Sequence, residues 1–353
     1  MKSICFVLPQ YPLRISGGYK IAFEYANRLA NDGFDVKILF INDGAPHFLK
    51  IPNFSKRLIM NVVTKRKIKG INLNSRIKTY SSTKKYIRSQ LVTTDIVIAT
   101  AAIVVSKTLD LFPKKSKKFY LIQDFETWDL DKNKLYWTYN VGFKNIVISK
   151  WLKQIVDEHA YTPSIYIRNP IDTNVYKSYV SSTERDKYTI GMLYHTAPHK
   201  GCKYALEAIF KAKKKFPKLK LIMFGTTKPD FKLPDWIEFH YRASQEETVN
   251  IYNSVNIFVC GTIKEGFGLT GLEAMACGAA LVSTDYQGVR EYAENKKNAL
   301  LSPVKDSKEL FNNIVELIEH SEIRENIVRN GQKTVQKFSW DEAYNKLKQV
   351  ILN

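Results

Sequence analysis

The stretch 264–278, KEGFGLTGLEAMACG, decides how the second half of the chain is interpreted. It follows a short apolar run, Ile257 to Cys260, and its apolar residues take helical spacing after the second glycine. We therefore predict a strand, a glycine-rich turn and a helix that Gly278 ends. Glycines at a helix N-terminus expose backbone amides that can hold a phosphate. Glu265 and Glu273 flank this turn, and carboxylates accept hydrogen bonds from sugar hydroxyls. The alternative is a glycine-rich loop with two solvated glutamates.

Short β-branched runs alternate with helix-like segments along the whole chain, which is typical of parallel sheets with crossover helices. The first strand is predicted at Ile4 to Leu8, since the start is too short for a signal sequence. A turn with Gly17 and Gly18 precedes the first helix. The remaining predicted strands are Val36 to Ile41, Ile96 to Ala99, Lys118 to Ile122, Asn145 to Ile148, Tyr188 to Tyr194, Leu219 to Phe224, Ile237 to Tyr241, Ile257 to Cys260 and Ala280 to Ser283.

Length and composition fit two globular domains. The chain has 353 residues, of which 44% are hydrophobic and 25% charged, and it contains no apolar run long enough to span a membrane. Its four cysteines form no Cys-x-x-Cys pair, which favours a reducing cytoplasm without structural zinc. We predict an N-terminal domain over 1–165, joined by the C-terminal segment 338–353, and a second domain over 166–337.

The net charge of +20 indicates an anionic partner. Residues 1–165 hold 27 Lys/Arg against 12 Asp/Glu, a net +15, and the remainder holds 27 against 22, a net +5. The anionic surface is therefore expected to face mainly the first half.

The segment from Glu265 to Glu273 resembles the Glu-x7-Glu signature of the retaining glycosyltransferases of family 4. Other parts of the chain resemble this family in order and spacing: Gly17-Gly18, Ile148-Ser149, Asn169-Pro170-Ile171-Asp172, Lys200-Gly201, Phe224-Gly225 and the closing helix after Phe338-Ser339-Trp340. The resemblance implies the GT-B fold, in which two Rossmann-like domains with parallel sheets face a central cleft.

The resemblance also implies roles for individual residues. Glu265 would contact hydroxyls of the donor sugar, and Glu273 would contact the ribose of its nucleotide. Lys200 would neutralise the departing diphosphate; the alternative is a solvated surface lysine. Backbone amides of the loop would hold the sugar and the diphosphate, and the N-terminal glycines belong to the same donor set. These further donor-binding residues are Gly17, Gly18, Gly266, Phe267, Gly268, Leu269 and Thr270.

The chain departs from the family pattern next to the Lys-Gly motif. His195 stands where the family usually has an arginine, and a neutral histidine donates only weakly to a phosphate. The second cation for the diphosphate could be His195, His199, Arg242 or Arg14.

Asp124 is the candidate on the acceptor side, in a segment where the family often has a histidine. The alternative is an aspartate that caps a turn. The sequence of Gln123 to Glu126 resembles bacterial members that transfer rhamnose or related sugars. Asp129-Leu130-Asp131 resembles a metal-binding Asp-x-Asp, but it follows no strand directly. We therefore predict neither a metal site nor a cofactor.

Residues 48–70 combine apolar side chains with Lys50, Lys56, Arg57, Lys65, Arg66, Lys67 and Lys69. This pattern predicts an amphipathic basic segment that binds an anionic membrane surface. The alternative is a crossover helix that packs its apolar face on the sheet.

Together these features predict a cytoplasmic enzyme, peripheral at the inner face of the cell membrane. It would transfer a sugar, with retention, from a nucleotide diphosphate sugar to a glycan or lipid-linked acceptor in cell-envelope polysaccharide synthesis. One alternative is a sugar-nucleotide epimerase of the same fold. A basic nucleic-acid-binding protein is another, but no nucleic-acid-binding motif is present, and no nucleic acid partner is expected.

Overall fold

The structure is a computed structural model that describes residues 2–12, 15–43, 52–64, 68 and 70–353. The chain forms two compact units. The first comprises Met1–Asn169 and Asp341–Asn353, and the second comprises Pro170–Trp340. The first unit thus ends at residue 169, four residues after the predicted boundary at 165. It resumes at residue 341, three residues after the predicted start at 338.

The first unit contains a parallel sheet that has seven strands within its described residues, in the order β3-β2-β1-β4-β5-β6-β7. Its central strands are apolar and buried on both faces, as expected when helices cover both sides of a parallel sheet. The strands are β1 Ser3–Leu8, β2 Asp35–Phe40, β3 Lys78–Ser81, β4 Ile96–Ala99, β5 Lys117–Ile122, β6 Lys144–Val147 and β7 Ile165–Tyr166.

Helix α1 of the first unit, Gly17–Asn31, buries one apolar face. In α1 the buried residues recur at helical spacing, and Tyr344 and Lys348 of the C-terminal helix both bond Asp32, which directly follows α1. The helices are α1 Gly17–Asn31, α2 Asn53–Val63, α3 Ile87–Leu91, α4 Ala102–Leu111, α5 Lys132–Thr138, α6 Lys150–His159 and α12 Trp340–Leu352.

The second unit contains a six-stranded parallel sheet in the order β10-β9-β8-β11-β12-β13. Its strands are β8 Thr189–Leu193, β9 Lys220–Gly225, β10 Ile237–Tyr241, β11 Ile257–Cys260, β12 Ala280–Thr284 and β13 Leu300–Ser302. Its helices are α7 Cys202–Lys215, α8 Gln245–Ser254, α9 Leu269–Ala276, α10 Ser307–Glu319 and α11 Ser321–Val335, with short 3-10 helices at Pro198–Lys200 and Gln287–Glu291.

The predicted fold class, two α/β domains with parallel sheets, is confirmed. Each strand predicted from the sequence is present with ends shifted by at most two residues. Three strands were not predicted, namely β3, β7 and β13. They lie at sheet edges and have only two to four residues, too few to show a hydrophobic pattern. Gly17 and Gly18 are the first residues of α1, whereas we had predicted them in a turn before it.

Within the described residues, no helix is long and apolar enough to cross a membrane.

Candidate active site

The glycine-rich turn leads from β11 into α9 and places its glycines at the N-terminus of that helix. Gly268 precedes the first helical residue with φ of 87°, a left-handed conformation that favours glycine. Gly278, just past the other end, has φ of 81°, so it ends the helix as predicted. The turn therefore presents backbone amides at a positive helix end, as phosphate binding requires.

Glu265 lies at the start of this turn and forms an ion pair with Lys200. Lys200 Nζ lies 2.7 Å from Glu265 Oε1, and the two side chains are 21% and 24% exposed. The sequence predicts that Glu265 contacts the donor sugar and that Lys200 contacts the diphosphate. The structure brings these two side chains into direct contact.

A close approach of two glycines makes that ion pair possible. Gly201, with φ of 57°, follows Lys200, and a Cβ atom on it would overlap the backbone carbonyl oxygen of Gly261. The carbonyl of His199 accepts a hydrogen bond of 2.8 Å from the amide of Ile263. The Lys-Gly loop and the strand leading into the glycine-rich turn thus pack as one piece.

Glu273 lies on α9 and is buried, with only 8% of its surface exposed. Its Oε2 accepts a hydrogen bond of 2.9 Å from the hydroxyl of Tyr252 on α8. This tyrosine was not predicted, because 21 residues separate it from Glu273 and no local pattern links them.

Two further tyrosines behind the turn were also missed. Tyr292 donates a hydrogen bond of 2.7 Å to the carbonyl of Gly268, and its hydroxyl lies 3.1 Å from that of Tyr286. Both rings are buried. A Cβ atom on Gly268 would overlap the Tyr286 hydroxyl. This tyrosine pair therefore fixes the backbone of the turn from the side of the protein core.

The remaining residues of the turn differ in what they can offer a ligand. Phe267 is 2% exposed and packs against the rings of Tyr292 and Phe338, at 5.4 and 6.0 Å between centroids. Only its backbone can therefore meet a donor. Gly266 is also buried, while Leu269 and Thr270 are half-buried.

The candidates for the second cation have distinct environments. His195 accepts a hydrogen bond of 2.9 Å at Nδ1 from the amide of Ala197. Burial, and then the charge of Lys200, lower the pKa of His199, which makes it a weak phosphate donor at neutral pH. Arg242 is exposed beyond β10, with its guanidinium 4.9 Å from the ring of Tyr241. Arg14 lies outside the described residues.

In the first unit, the candidate residues gather where β1, β4 and β5 end. Gln123 Nε2 donates to the carbonyl of Gly18 at 3.3 Å. Asp124 Oδ1 accepts a hydrogen bond of 2.8 Å from the amide of Phe125, the next residue. Glu126 accepts a bond of 2.6 Å from the amide of Ala102, and burial raises its pKa to about 8. The part of Asp124 in acceptor binding stays a prediction.

The Asp-x-Asp segment has a structural explanation. Asp131 precedes α5, and its Oδ1 accepts a hydrogen bond of 3.0 Å from the amide of Lys134, so it is a helix cap. In the part of the chain that the structure describes, no group of three or more His, Cys, Asp or Glu residues is arranged to hold a metal ion.

The second unit matches a known protein family. Residues 179–334 match the family model of the glycosyl transferases group 1. An uncharacterized glycosyltransferase of Methanocaldococcus jannaschii is 28% identical over 59% of this chain and 58% of that relative. A second relative, from Campylobacter jejuni, is the N,N'-diacetylbacillosaminyl-diphospho-undecaprenol alpha-1,3-N-acetylgalactosaminyltransferase. It is 35% identical over 26% of this chain and 24% of the length of that relative. The aligned parts thus span less than two thirds of each relative.

The whole chain matches solved structures at the level of fold. Anabaena HepE in complex with UDP and glucose has a TM-score of 0.78 at 14% identity and covers 100% of both chains. This likeness assigns the fold to the GT-B class. At the level of sequence, residues 179–334 are similar to the glycosyl transferases group 1.

Proposed function

We propose that this protein transfers a sugar, with retention at the anomeric carbon, from a nucleotide diphosphate sugar to a glycan or lipid-linked acceptor in cell-envelope polysaccharide synthesis. The observation that carries the proposal is the contact between Lys200 and Glu265 beside a glycine-rich helix N-terminus. A cation, a carboxylate and a helix N-terminus in one place suit the diphosphate and the sugar of such a donor. The Campylobacter relative, whose name includes a diphospho-undecaprenol, supports the choice of a lipid-linked acceptor.

In this proposal the donor separates the ion pair. The diphosphate carries more negative charge than one carboxylate, so it competes with Glu265 for Lys200. Glu265 is then available to accept hydrogen bonds from sugar hydroxyls, and the amides of 266–270 bind the diphosphate. As the glycosidic bond breaks, negative charge builds on the departing diphosphate, and Lys200 stabilises it.

Retention follows if the acceptor attacks the face from which the diphosphate leaves. The departing phosphate oxygen then takes the proton of the acceptor hydroxyl, and the protein contributes positioning and charge stabilisation. Donor and acceptor must be held together for this step. We place the acceptor at the first unit, around Asp124.

The direct test is a transfer assay with purified protein, a panel of nucleotide sugars and a lipid-linked sugar acceptor. UDP-sugars head the panel, because HepE was solved with UDP, and dTDP-rhamnose tests the rhamnose resemblance. We expect a product whose anomeric configuration, read by NMR, equals that of the donor. An inverted product would refute retention, and an epimerised donor formed without acceptor would identify an epimerase.

Removal of either glutamate side chain should weaken ligand binding, but the two substitutions should affect different ligands. Glu265→Ala should weaken binding of the sugar nucleotide more than that of the free nucleotide, whereas Glu273→Ala should weaken both. Calorimetric titration with UDP-glucose and UDP measures these affinities. Glu273→Ala should also cost about 1–3 kcal/mol of stability, because it leaves the buried hydroxyl of Tyr252 without its acceptor. Variants that both bind like the parent would show that the donor site is elsewhere.

We also propose that the first unit binds the anionic inner face of the cell membrane through the segment 48–70. Part of that segment, including Lys50, Lys65, Arg66, Lys67 and Lys69, lies outside the described residues. Within the described part, Asn53–Val63 form α2. Met60 of α2 and Thr64, which directly follows it, are buried, and Phe54, Leu58 and Val62 are exposed by 70%, 53% and 57%.

The exposed residues form one apolar stripe of α2, since they are spaced four residues apart. The buried pair lies on the opposite side of the helix. A crossover helix that packed its whole apolar face on the sheet would bury this stripe, so the exposure supports the membrane alternative. The segment after β3 contacts α2, because Thr83 Oγ1 donates a hydrogen bond of 3.0 Å to Asn61. In that segment the ring of Tyr86 is 72% exposed, and the ammonium of Lys85 lies 4.9 Å from the centre of this ring. Aromatic and basic side chains suit a membrane interface.

Replacing Phe54, Leu58 and Val62 by serine should reduce binding to anionic vesicles about a hundredfold or more, because each inserted side chain contributes about 1.5–3 kcal/mol. The melting temperature should stay near that of the parent. The measurement is sedimentation with phosphatidylglycerol vesicles. As a matched control, Ile103, Leu109 and Ile323, also exposed, are replaced by serine. Equal binding of both triple variants, or unfolding of the first one, would contradict a membrane-binding stripe.

A further inference from the structure

The buried carboxylate of Glu273 is surrounded by tyrosines. Tyr252 donates to its Oε2 at 2.9 Å. Tyr176, in the segment before β8, has its ring 6.4 Å from that of Tyr252, and the negative charge of Glu273 acts on its hydroxyl. Tyr252 is fully buried and Tyr176 is 6% exposed. Two buried tyrosines from distant parts of the chain thus lie beside one charged group.

Both tyrosines keep their protons and can donate. Burial, and then the negative charge of Glu273, raise the pKa of Tyr176 and of Tyr252 well above the usual value. A buried carboxylate without a donor would be costly, so the hydrogen bond from Tyr252 stabilises the charge of Glu273 inside the protein.

The positions of these hydroxyls are set by the core. The ring of Tyr252 packs edge-on against Phe258 at 5.1 Å and Phe224 at 5.6 Å, and it lies 6.4 Å from the ring of Tyr176. The guanidinium of buried Arg185 binds the carbonyls of Tyr252 and Cys277, at 3.1 and 2.5 Å. It thereby joins the end of α8 to the end of α9, the helix that carries Glu273.

We propose that Tyr252 and Tyr176 are positioning residues that aim Glu273 at the two ribose hydroxyls of the donor nucleotide. This inference rests on the proposed function, in which Glu273 meets the ribose. A carboxylate has about four lone-pair sites. Tyr252 occupies one of them, which leaves sites for the 2′ and 3′ hydroxyls. By orienting Glu273, the tyrosines would make the site favour nucleotides that carry both ribose hydroxyls.

The test uses Tyr252→Phe and Tyr176→Phe in the full chain, with calorimetric titration of UDP and GDP and of their 2′,3′-dideoxy analogues. The parent should bind the ribonucleotide that it accepts more tightly than the dideoxy analogue. Each variant should lose about tenfold in affinity for that ribonucleotide, the usual effect of a hydrogen bond to a charged group. Affinity for the dideoxy analogue should hardly change. In a Glu273→Gln background, Tyr252→Phe should have little further effect.

Tyr344→Phe is the matched control, because Tyr344 is also buried and donates to a carboxylate, that of Asp32, at 2.7 Å in the first unit. It should change neither affinity. Equal weakening of ribo- and dideoxynucleotide in the Tyr252 and Tyr176 variants would overturn the positioning role, and so would unchanged binding of both. A parent that binds no nucleoside diphosphate would refute the proposed function as well.

Discussion

Lys200→Ala should lower kcat about a hundredfold or more, while donor affinity falls much less. The reason is that negative charge on the diphosphate grows as the glycosidic bond breaks, so a fixed cation matters most in the transition state. Steady-state kinetics of the variant, compared with its affinity for the donor, measure the two effects separately. The structure sharpens this prediction, since the ammonium already lies in the site, 2.7 Å from Glu265.

Lys153→Ala provides the matched control. Lys153 forms an ion pair of similar length, 2.6 Å, with Asp157 in the first unit, and its side chain is also partly exposed. Its removal should leave kcat unchanged. If Lys200→Ala kept the parent kcat as well, the Lys200–Glu265 pair would be only a structural contact.

Gly268→Ala should abolish measurable donor use and reduce stability by about 2 kcal/mol or more. The left-handed backbone of Gly268 disfavours any side chain, and the new methyl group would overlap the hydroxyl of Tyr286. The turn would have to shift, and with it the amides that are proposed to bind the diphosphate. Donor titration and thermal unfolding check the two parts of this prediction.

Gly33→Ala is the control that measures the effect of a left-handed backbone alone, without the steric clash expected in Gly268→Ala. Gly33 has nearly the same φ, 90° against 87°, but a Cβ atom there would meet nothing within 4 Å. We expect a loss of about 1 kcal/mol from the left-handed conformation and no change in donor use. If the two glycine variants had the same stability and the same activity, the tyrosine pair would not be holding the turn.

The sequence was enough to predict the outline of the second unit and its turn. Glycines before an apolar helix have few structural explanations, and Gly268 and Gly278 indeed lie at the two ends of α9. What could not be predicted is the layer behind the turn. The fold alone brings three tyrosines to the turn and to Glu273, namely Tyr252, Tyr286 and Tyr292. In the sequence, an isolated tyrosine cannot be distinguished from any other core residue.

Local patterns were also ambiguous in particular places. The sequence does not reveal that the ring of Phe267 is part of the core, so that only the backbone of this residue could serve its predicted role in donor binding. In α2, an amphipathic pattern fits a packed helix and a surface helix equally well. Only the fold distinguishes them, because it shows that Met60 faces inward and that the stripe with Leu58 does not.

The proposal that the second unit holds a nucleotide diphosphate sugar can be tested by thermal unfolding of the full chain with a panel of nucleotide sugars. A donor present at about 100 times its Kd should stabilise the protein by about 2.7 kcal/mol. The same donor should stabilise Glu273→Gln less at equal concentration. We expect one nucleotide sugar of the panel to give this shift in the parent. If none stabilised it, the chain would have no donor site of the kind proposed for Lys200, Glu265 and Glu273.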